Sequence, residues 1–202
     1  MIANHVHDAL KQVKKLRNLI LDRKNFQGYS GKARISGGFF ALSGAIAITL
    51  LKIPSDPYIH FCVWCCVLAI SLTFNYGALF FWFIFDSEVR REINKLTPAV
   101  DAVPALAVGG FITIAFPYYN EYQFLMPMWM FLYGLVHIPY RSNLPKLNYY
   151  VGLFYILSGA VLLFFPQPFT NPWPMGIVFF VGESAGGFSL IKNRNKVGVD
   201  NG

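Results

Sequence analysis

The chain has 202 residues, of which 55% are hydrophobic and 13% charged, and its formal net charge is +7. A soluble domain carries about 25% charged residues, so this composition favours the bilayer over water as the surrounding solvent. Nucleic-acid binding would need a basic surface on a soluble domain, and the apolar runs leave no such domain. The first 33 residues lack the apolar core and cleavage site of a signal peptide.

Residues 4–26 are predicted to form an amphipathic helix that carries basic residues on its polar face. Its apolar positions recur at helical spacing and are Val6, Ala9, Leu10, Val13, Leu16 and Ile20. Lys11 and Lys15 fall on the opposite face. Two uses fit this pattern. The helix lies on anionic headgroups, where each Lys or Arg contributes about 1 kcal/mol, or it docks on a partner helix, because positions 6, 13 and 20 repeat at seven.

Six apolar runs approach the roughly 20 residues that cross the hydrocarbon layer. They cover about 35–53, 59–85, 98–116, 122–139, 148–165 and 173–191. The predicted fold is therefore an all-α integral membrane protein with six transmembrane helices. Residues 1–33 form a cytoplasmic amphipathic helix and glycine-containing linker, residues 34–191 the transmembrane domain, and residues 192–202 a short basic tail.

The distribution of Lys and Arg predicts the orientation. All of the 17 basic residues except Lys52 fall in the N-terminal segment, the second and fourth connections and the C-terminal tail. Because basic residues collect on the cytoplasmic side, both termini are expected to be cytoplasmic. The net charge then reflects topology, with anionic lipid headgroups as its partner.

The three cysteines lie together near the start of the second run, at Cys62, Cys65 and Cys66. They indicate no disulfide framework. A zinc site needs about four ligands, and adjacent residues cannot share one face of a helix. We therefore expect small buried hydrophobic side chains and no metal.

Glycine spacing predicts close contacts between helices. Gly37 and Gly44 are seven residues apart, as are Gly152 and Gly159. Gly182 and Gly186 form a small-xxx-small face of the kind that lets helices approach in lipid.

The first and last hairpins look alike in sequence. The segment Phe40-Ala41-Leu42-Ser43-Gly44-Ala45 is similar to Tyr155-Ile156-Leu157-Ser158-Gly159-Ala160. Each unit continues through a turn, with proline nearby, into a return helix, and the middle segment follows the same order. The six helices are therefore predicted to form three pseudo-repeated hairpins.

A helix with small residues that ends in Leu162-Leu163-Phe164-Phe165-Pro166, followed by a glycine-bearing return helix, resembles the repeat of HdeD-type bacterial inner-membrane proteins. The resemblance covers residues 35–191 and is clearest over 148–191. It implies six helices in three hairpins, a bacterial inner membrane as the location and a link to acid tolerance, and it carries no catalytic motif. The N-terminal segment is longer than this pattern, which favours a partner or the membrane surface as its target.

Glu183 is the most costly residue of the predicted membrane domain. It lies about 13 Å from Lys192 at 1.5 Å per residue, and a charge near the bilayer centre costs at least roughly 2.5–3.5 kcal/mol. We therefore expect Glu183 to be protonated, paired or in a cavity. His137, near the end of the fourth run, could pair with Asp101 or Glu183. These three residues form either a proton or cation site or an interhelix hydrogen-bond site.

No nucleophile–base spacing, phosphate loop or metal motif appears, so we expect no enzyme, cofactor or metal. The first functional hypothesis is an assembly, accessory or stress-related subunit that uses its N-terminal helix. Its partner would be a second copy of the chain or another membrane protein. The alternative is a small proton- or cation-coupled transporter or channel that uses Glu183.

Overall fold

The computed structural model describes residues 10–13, 30–85, 96–138 and 145–200, and all regular structure in these ranges is helical. Its elements are α1 (Gly31–Leu50), α2 (Pro57–Phe85), α3 (Thr97–Asp101), α4 (Val103–Tyr118), a 3-10 turn (Tyr122–Phe124), α5 (Leu125–His137), α6 (Lys146–Phe164) and α7 (Trp173–Asp200). The side chains of residues 97–98 and 194–200 lie outside the description.

Short polar side chains begin several of these helices. The Ser30 hydroxyl accepts a hydrogen bond from the N–H of Ala33 at 3.3 Å, which satisfies one free donor in the first turn of α1. The Asp56 carboxylate accepts from the N–H groups of Tyr58 at 2.7 Å and Ile59 at 3.3 Å at the start of α2. These caps follow polar turns in the sequence, so the helix starts are locally encoded.

Five helical segments are long and apolar enough to cross a membrane: Gly31–Leu50, Pro57–Phe85, Ala99–Tyr118, Lys146–Phe164 and Trp173–Asn193. The prediction of an all-helical integral membrane protein is confirmed at this level. The predicted six spans are not confirmed, because the fourth run contains a 3-10 turn followed by only the 13 residues of α5. At 1.5 Å per residue α5 is about 20 Å long, shorter than the roughly 30 Å hydrocarbon layer.

The long helices and α5 pack as antiparallel neighbours in the order α2, α1, α7, α6, α5, α4. The first and last spanning helices, α1 and α7, form the most extensive contact. Over the described residues, α2 and α4 do not pack closely against each other. The contact between α1 and α7 therefore joins the first two helices to the other four, and the bundle is less tightly packed between α2 and α4.

Small residues permit the close approach of α1 and α7. A Cβ atom on Gly31 would lie 2.5 Å from the carbonyl oxygen of Gly187, and one on Gly187 would lie 2.6 Å from that of Gly31. At the other end of the same seam, a Cβ on Gly176 would lie 2.6 Å from the Cβ of Ala45. Contacts of this kind drive helix association in lipid.

The cysteines are less buried than the sequence suggested. Cys62 and Cys66 are exposed on the surface of α2, and Cys65 is half-buried. The expectation of small buried side chains is wrong for Cys62 and Cys66, because α2 packs mainly on α1 and leaves most of its other surface free.

The predicted N-terminal amphipathic helix falls mostly outside the described residues. Residues 10–13 form one helical turn, in which Leu10, Lys11 and Val13 are exposed. Val6, Lys15, Leu16 and Ile20 lie outside the described residues. At the opposite terminus, α7 continues to Asp200, so much of the predicted tail is helical.

Candidate functional site: a buried ionic network beside two cavities

The strongest polar feature of the bundle is an ion pair between Arg34 of α1 and Glu183 of α7. The Arg34 Nε–H donates to Glu183 Oε2 at 3.0 Å, and an Nη2–H donates to Oε1 at 3.0 Å. Arg34 is 6% exposed and Glu183 is 7% exposed. This two-bond fork matches the planar guanidinium to the carboxylate, so each buried charge is compensated by the other.

Three further side chains complete what we call the ionic network. The Arg34 Nη1–H donates to Asn148 Oδ1 at 2.6 Å, and Nη2 lies 2.7 Å from His137 Nε2. The Tyr155 hydroxyl donates to Glu183 Oε1 at 2.9 Å. Helices α1, α5, α6 and α7 therefore all contribute to one connected group.

The hydrogen bonds of His137 define its tautomer. Its Nδ1 lies 2.6 Å from the backbone carbonyl oxygen of Tyr133. A carbonyl only accepts, so Nδ1 carries the proton, and Nε2 accepts from Arg34, which only donates. This arrangement makes His137 neutral, and the network holds one positive and one negative charge.

Asn148 has an unused donor beside Arg34. The residue is completely buried, and its Nδ2 has no hydrogen-bond partner. Rotating the amide by half a turn would place Nδ2 against the Arg34 donors, so Arg34 determines the amide orientation. The network thus has more donors than the protein provides acceptors for.

Glycines provide the space that this network occupies. A Cβ on Gly182 would overlap the Tyr155 ring, and one on Gly186 would overlap the Arg34 guanidinium. A Cβ on Gly152 would lie 3.0 Å from the His137 Cβ.

The remaining predicted packing glycines also face neighbouring helices. The nearest neighbour of an added Cβ would be Asn75 for Gly37, Val67 for Gly44 and Pro127 for Gly159. Two of the six predicted packing positions, Gly182 and Gly186, lie on α7 and make room for network side chains of α6 and α1.

The network lies near one end of the bundle. Arg34 follows Gly31 by three residues, or about 5 Å along the helix axis, and His137 is the last residue of α5. The sequence estimate placed Glu183 near the bilayer centre by counting from Lys192. That depth stays a prediction; within the bundle, a Cβ on Gly38, seven residues after the start of α1, would lie 3.1 Å from the Glu183 Cβ.

Two adjoining cavities lie inside the bundle. The proximal cavity, about 110 Å³, is lined by Arg34 and His137, and the distal cavity, about 80 Å³, is lined by Trp64 of α2. Both cavities share Ser71, Asn75, Trp129, Tyr133 and Glu183. A mostly apolar concavity with a few polar groups is typical of a small-molecule site.

The structure brings together two of the three candidate residues from the sequence. Glu183 and His137 both contact Arg34. Asp101 is exposed at the end of α3 and takes part in none of the described contacts of the network. Glu183 is paired with Arg34. His137 also has Arg34 as its side-chain partner, and not Asp101 or Glu183.

Sequence reasoning missed Arg34, Asn148 and Tyr155. In the sequence, Arg34 is one of the basic residues of the N-terminal segment that predict the orientation. Asn148 and Tyr155 are seven residues apart and share a helix face with Gly152 and Gly159. Polar residues on a predicted glycine packing face are a signal that could have identified them.

No family model matches the chain, and the searches of curated proteins and of solved structures found no match either. Any functional assignment therefore rests on the chemistry of the network and its cavities.

Proposed function

We propose that the chain is a small non-enzymatic transporter or channel that moves a proton-linked solute through its bundle. The observation that carries this proposal is the position of Glu183, which is ion-paired with Arg34 and lines both cavities. Transport, the alternative hypothesis from the sequence, is favoured because Glu183 has both a charged partner and adjacent space.

Energetics favour a functional reason for this pair. Desolvation of two charges offsets most of their attraction, and apolar residues of similar size often stabilise a protein as well or better. Ionisable groups within membrane helices commonly mark solute, ion or proton paths. The close-packed seam between α1 and α7 is built from small residues, so the bundle has a simpler means of holding these helices together.

The proposed mechanism is an exchange of partners at Glu183. In one state the carboxylate binds Arg34, and in the other it binds a proton or a cation. The second state releases the Arg34 guanidinium toward the proximal cavity. A local change of charge thereby alters contacts of α1, α5, α6 and α7 at once, which is the form that such switches take.

We also propose six spans, with the 3-10 turn and α5 together as the fourth, and both termini on the cytoplasmic side of a bacterial inner membrane. The pairs α1–α2, α4–α5 and α6–α7 would be the three hairpins. Support comes from the asymmetric distribution of Lys and Arg. A short span is accommodated by thinning of the bilayer or by packing against neighbours.

Flux measurements on the purified full chain test the transport proposal. Proteoliposomes that contain a pH indicator are diluted into mixtures of amino acids, sugars and organic acids. We expect proton flux above that of protein-free vesicles with at least one mixture. Glu183→Gln should reduce it by about tenfold or more, whereas Glu121→Gln, an exposed Glu outside both cavities, should retain it. Equal flux in parent and Glu183→Gln vesicles would reject the role of Glu183.

The second candidate is an assembly, accessory or stress-related subunit, which would bind a second copy or another membrane protein through its N-terminal segment. The described turn at residues 10–13 favours it, because Leu10 is 57% exposed and Val13 is 60% exposed. Deletion of residues 1–26 should remove co-purifying protein and leave the bundle folded. Retention of every partner after the deletion would exclude this candidate.

A further inference from the structure

We propose that the proximal cavity binds a short-chain monocarboxylic acid, with its carboxylate on Arg34, and that Glu183 takes up one proton as the acid binds. This inference rests on the proposed transport function and names its substrate class. Four observations carry it: the donor surplus of the network, the apolar lining, the cavity size and the charge balance.

The donor surplus favours a ligand that supplies acceptors. Arg34 has five N–H donors, and the protein supplies acceptors to four of them, at Glu183, His137 and Asn148. Asn148, whose Nδ2 is also without a partner, does not line the proximal cavity, so the donors offered to a ligand there are those of Arg34. A cationic ligand would meet the Arg34 charge and offer only more donors, so a carboxylate fits this chemistry better.

The lining determines what the carboxylate is attached to. The apolar side chains that line the proximal cavity include Leu72, Leu79, Leu106, Leu132 and Val136. A short hydrocarbon chain suits this surface. A second carboxylate among these residues would have no cation beside it and would carry a large desolvation cost. The cavity therefore selects a monocarboxylate over a dicarboxylate.

The volume limits the length of the chain. At about 110 Å³, the proximal cavity is of the same order as an engineered cavity of roughly 150 Å³ that takes up benzene. Benzene and butanoate have the same number of heavy atoms. Butanoate is therefore a suitable probe, and a long fatty acid would not fit in this cavity alone.

The charge balance requires the proton. If Glu183 stayed ionised, it and the ligand carboxylate would share the single Arg34 guanidinium, and one buried negative charge would be unpaired, which is costly. When a water-derived proton forms an O–H bond with Glu183, Arg34 turns its hydrogen bonds to the bound carboxylate. The site then gains one negative charge from the ligand and one positive charge from the proton. Its net charge does not change, so movement of the acid is electroneutral.

Glu183 is the group in this site that accepts the proton, as the residues around it indicate. It is faced by Arg34 from α1, by neutral His137 and Tyr133 from α5, and by Tyr155 from α6. Helix α2 adds Tyr76 to the cavity but no charged side chain, and α4 adds only apolar residues. Among the described residues that line the proximal cavity, Glu183 is the only carboxylate.

Calorimetric titration of the detergent-purified full chain with sodium butanoate tests the inference. Titrations are made at about pH 6 and about pH 8, above the ordinary pKa of a carboxylic acid. Comparing buffers of different ionisation enthalpy counts the protons. We expect one proton taken up per butanoate and, by linkage, an affinity about 100-fold weaker at the higher pH.

Variants separate the roles of the two charged residues. Glu183→Gln, which resembles the protonated carboxyl, should bind butanoate without proton uptake and with little pH dependence. Arg34→Gln should weaken binding by about tenfold or more, and exposed Lys32→Gln on the same helix should not. Leu106→Phe keeps every charge and should weaken binding by filling the cavity, so the inference stays testable if an Arg34 variant fails to fold.

Several results would overturn the inference. These are butanoate binding without proton uptake, equal binding of butylammonium or butanol, and equal binding of succinate. Absence of butanoate binding in a protein that still shows Glu183-dependent proton flux would also overturn it, while the transport proposal would stand. Proton-linked butanoate binding without any Glu183-dependent flux would support the site and overturn transport.

Discussion

A double-mutant cycle on Arg34 and Glu183 examines the energetic basis of the ionic network. Arg34→Met removes both bonds to the Glu183 carboxylate and the donors to Asn148 and His137. It leaves a buried negative charge with Tyr155 as its remaining described hydrogen-bond donor. Breaking such a pair costs about 3–5 kcal/mol. Glu183→Leu leaves Arg34 uncompensated and should cost a similar amount.

The double variant should cost much less than the sum of the single variants. Both charges are then absent, and the remaining penalty comes from neutral groups that lose partners, each costing about 1–3 kcal/mol. We expect the double variant to lose about 3–5 kcal/mol, compared with about 6–10 kcal/mol if the single effects were additive.

Equilibrium unfolding in mixed micelles, followed by far-ultraviolet circular dichroism, measures these free energies of unfolding. The exposed substitution Lys32→Met in α1 is the control for a lost cation and should change stability by less than about 0.5 kcal/mol. A double variant whose loss equals the sum of the single losses would refute the reasoning, because it would show that the two charges are not coupled.

Three further predictions follow from packing, hydrogen bonding and topology. Gly182→Ala should destabilise the bundle by about 1–3 kcal/mol, because the new methyl group overlaps the Tyr155 ring. The control is Gly110→Ala, which has open space around it and should be neutral or slightly stabilising in the same unfolding assay. Trp129→Phe should lower the free energy of unfolding by about 0.5–1.5 kcal/mol, because it removes the indole N–H bond to Thr113 at 2.9 Å. The effect should be smaller in a Thr113→Val background. Reporter fusions to the two termini should fall on the same side of the membrane if six segments cross it; opposite sides would establish an odd number of spans.

Much of the helical fold could be predicted because hydrophobic length is a local property of the sequence. The five long spans follow directly from apolar runs. The fourth run was harder to judge, since hydropathy does not reveal that Tyr122–Phe124 forms a 3-10 turn and that α5 begins only at Leu125. Its length depends on local backbone geometry as well as on composition.

The candidate site was only partly accessible. Glu183 stood out because a carboxylate in an apolar run is costly, and His137 was noted for its place at a helix end. Arg34 could not be distinguished from other basic residues near a membrane entry. Its burial depends on how far α1 and α7 overlap, which is set by the contacts of Gly31 and Gly187 and has no local signature.

Infrared difference spectroscopy on the full chain tests the central claim, the exchange of Arg34 for a proton at Glu183, most directly. Spectra are recorded with and without butanoate at about pH 7, using isotope-labelled butanoate to separate its own carboxylate bands. We predict that binding produces the carbonyl band of a protonated carboxyl group, and that Glu183→Gln lacks this band while Glu121→Gln keeps it. A Glu183 carboxylate that stays ionised while butanoate is bound would contradict the account.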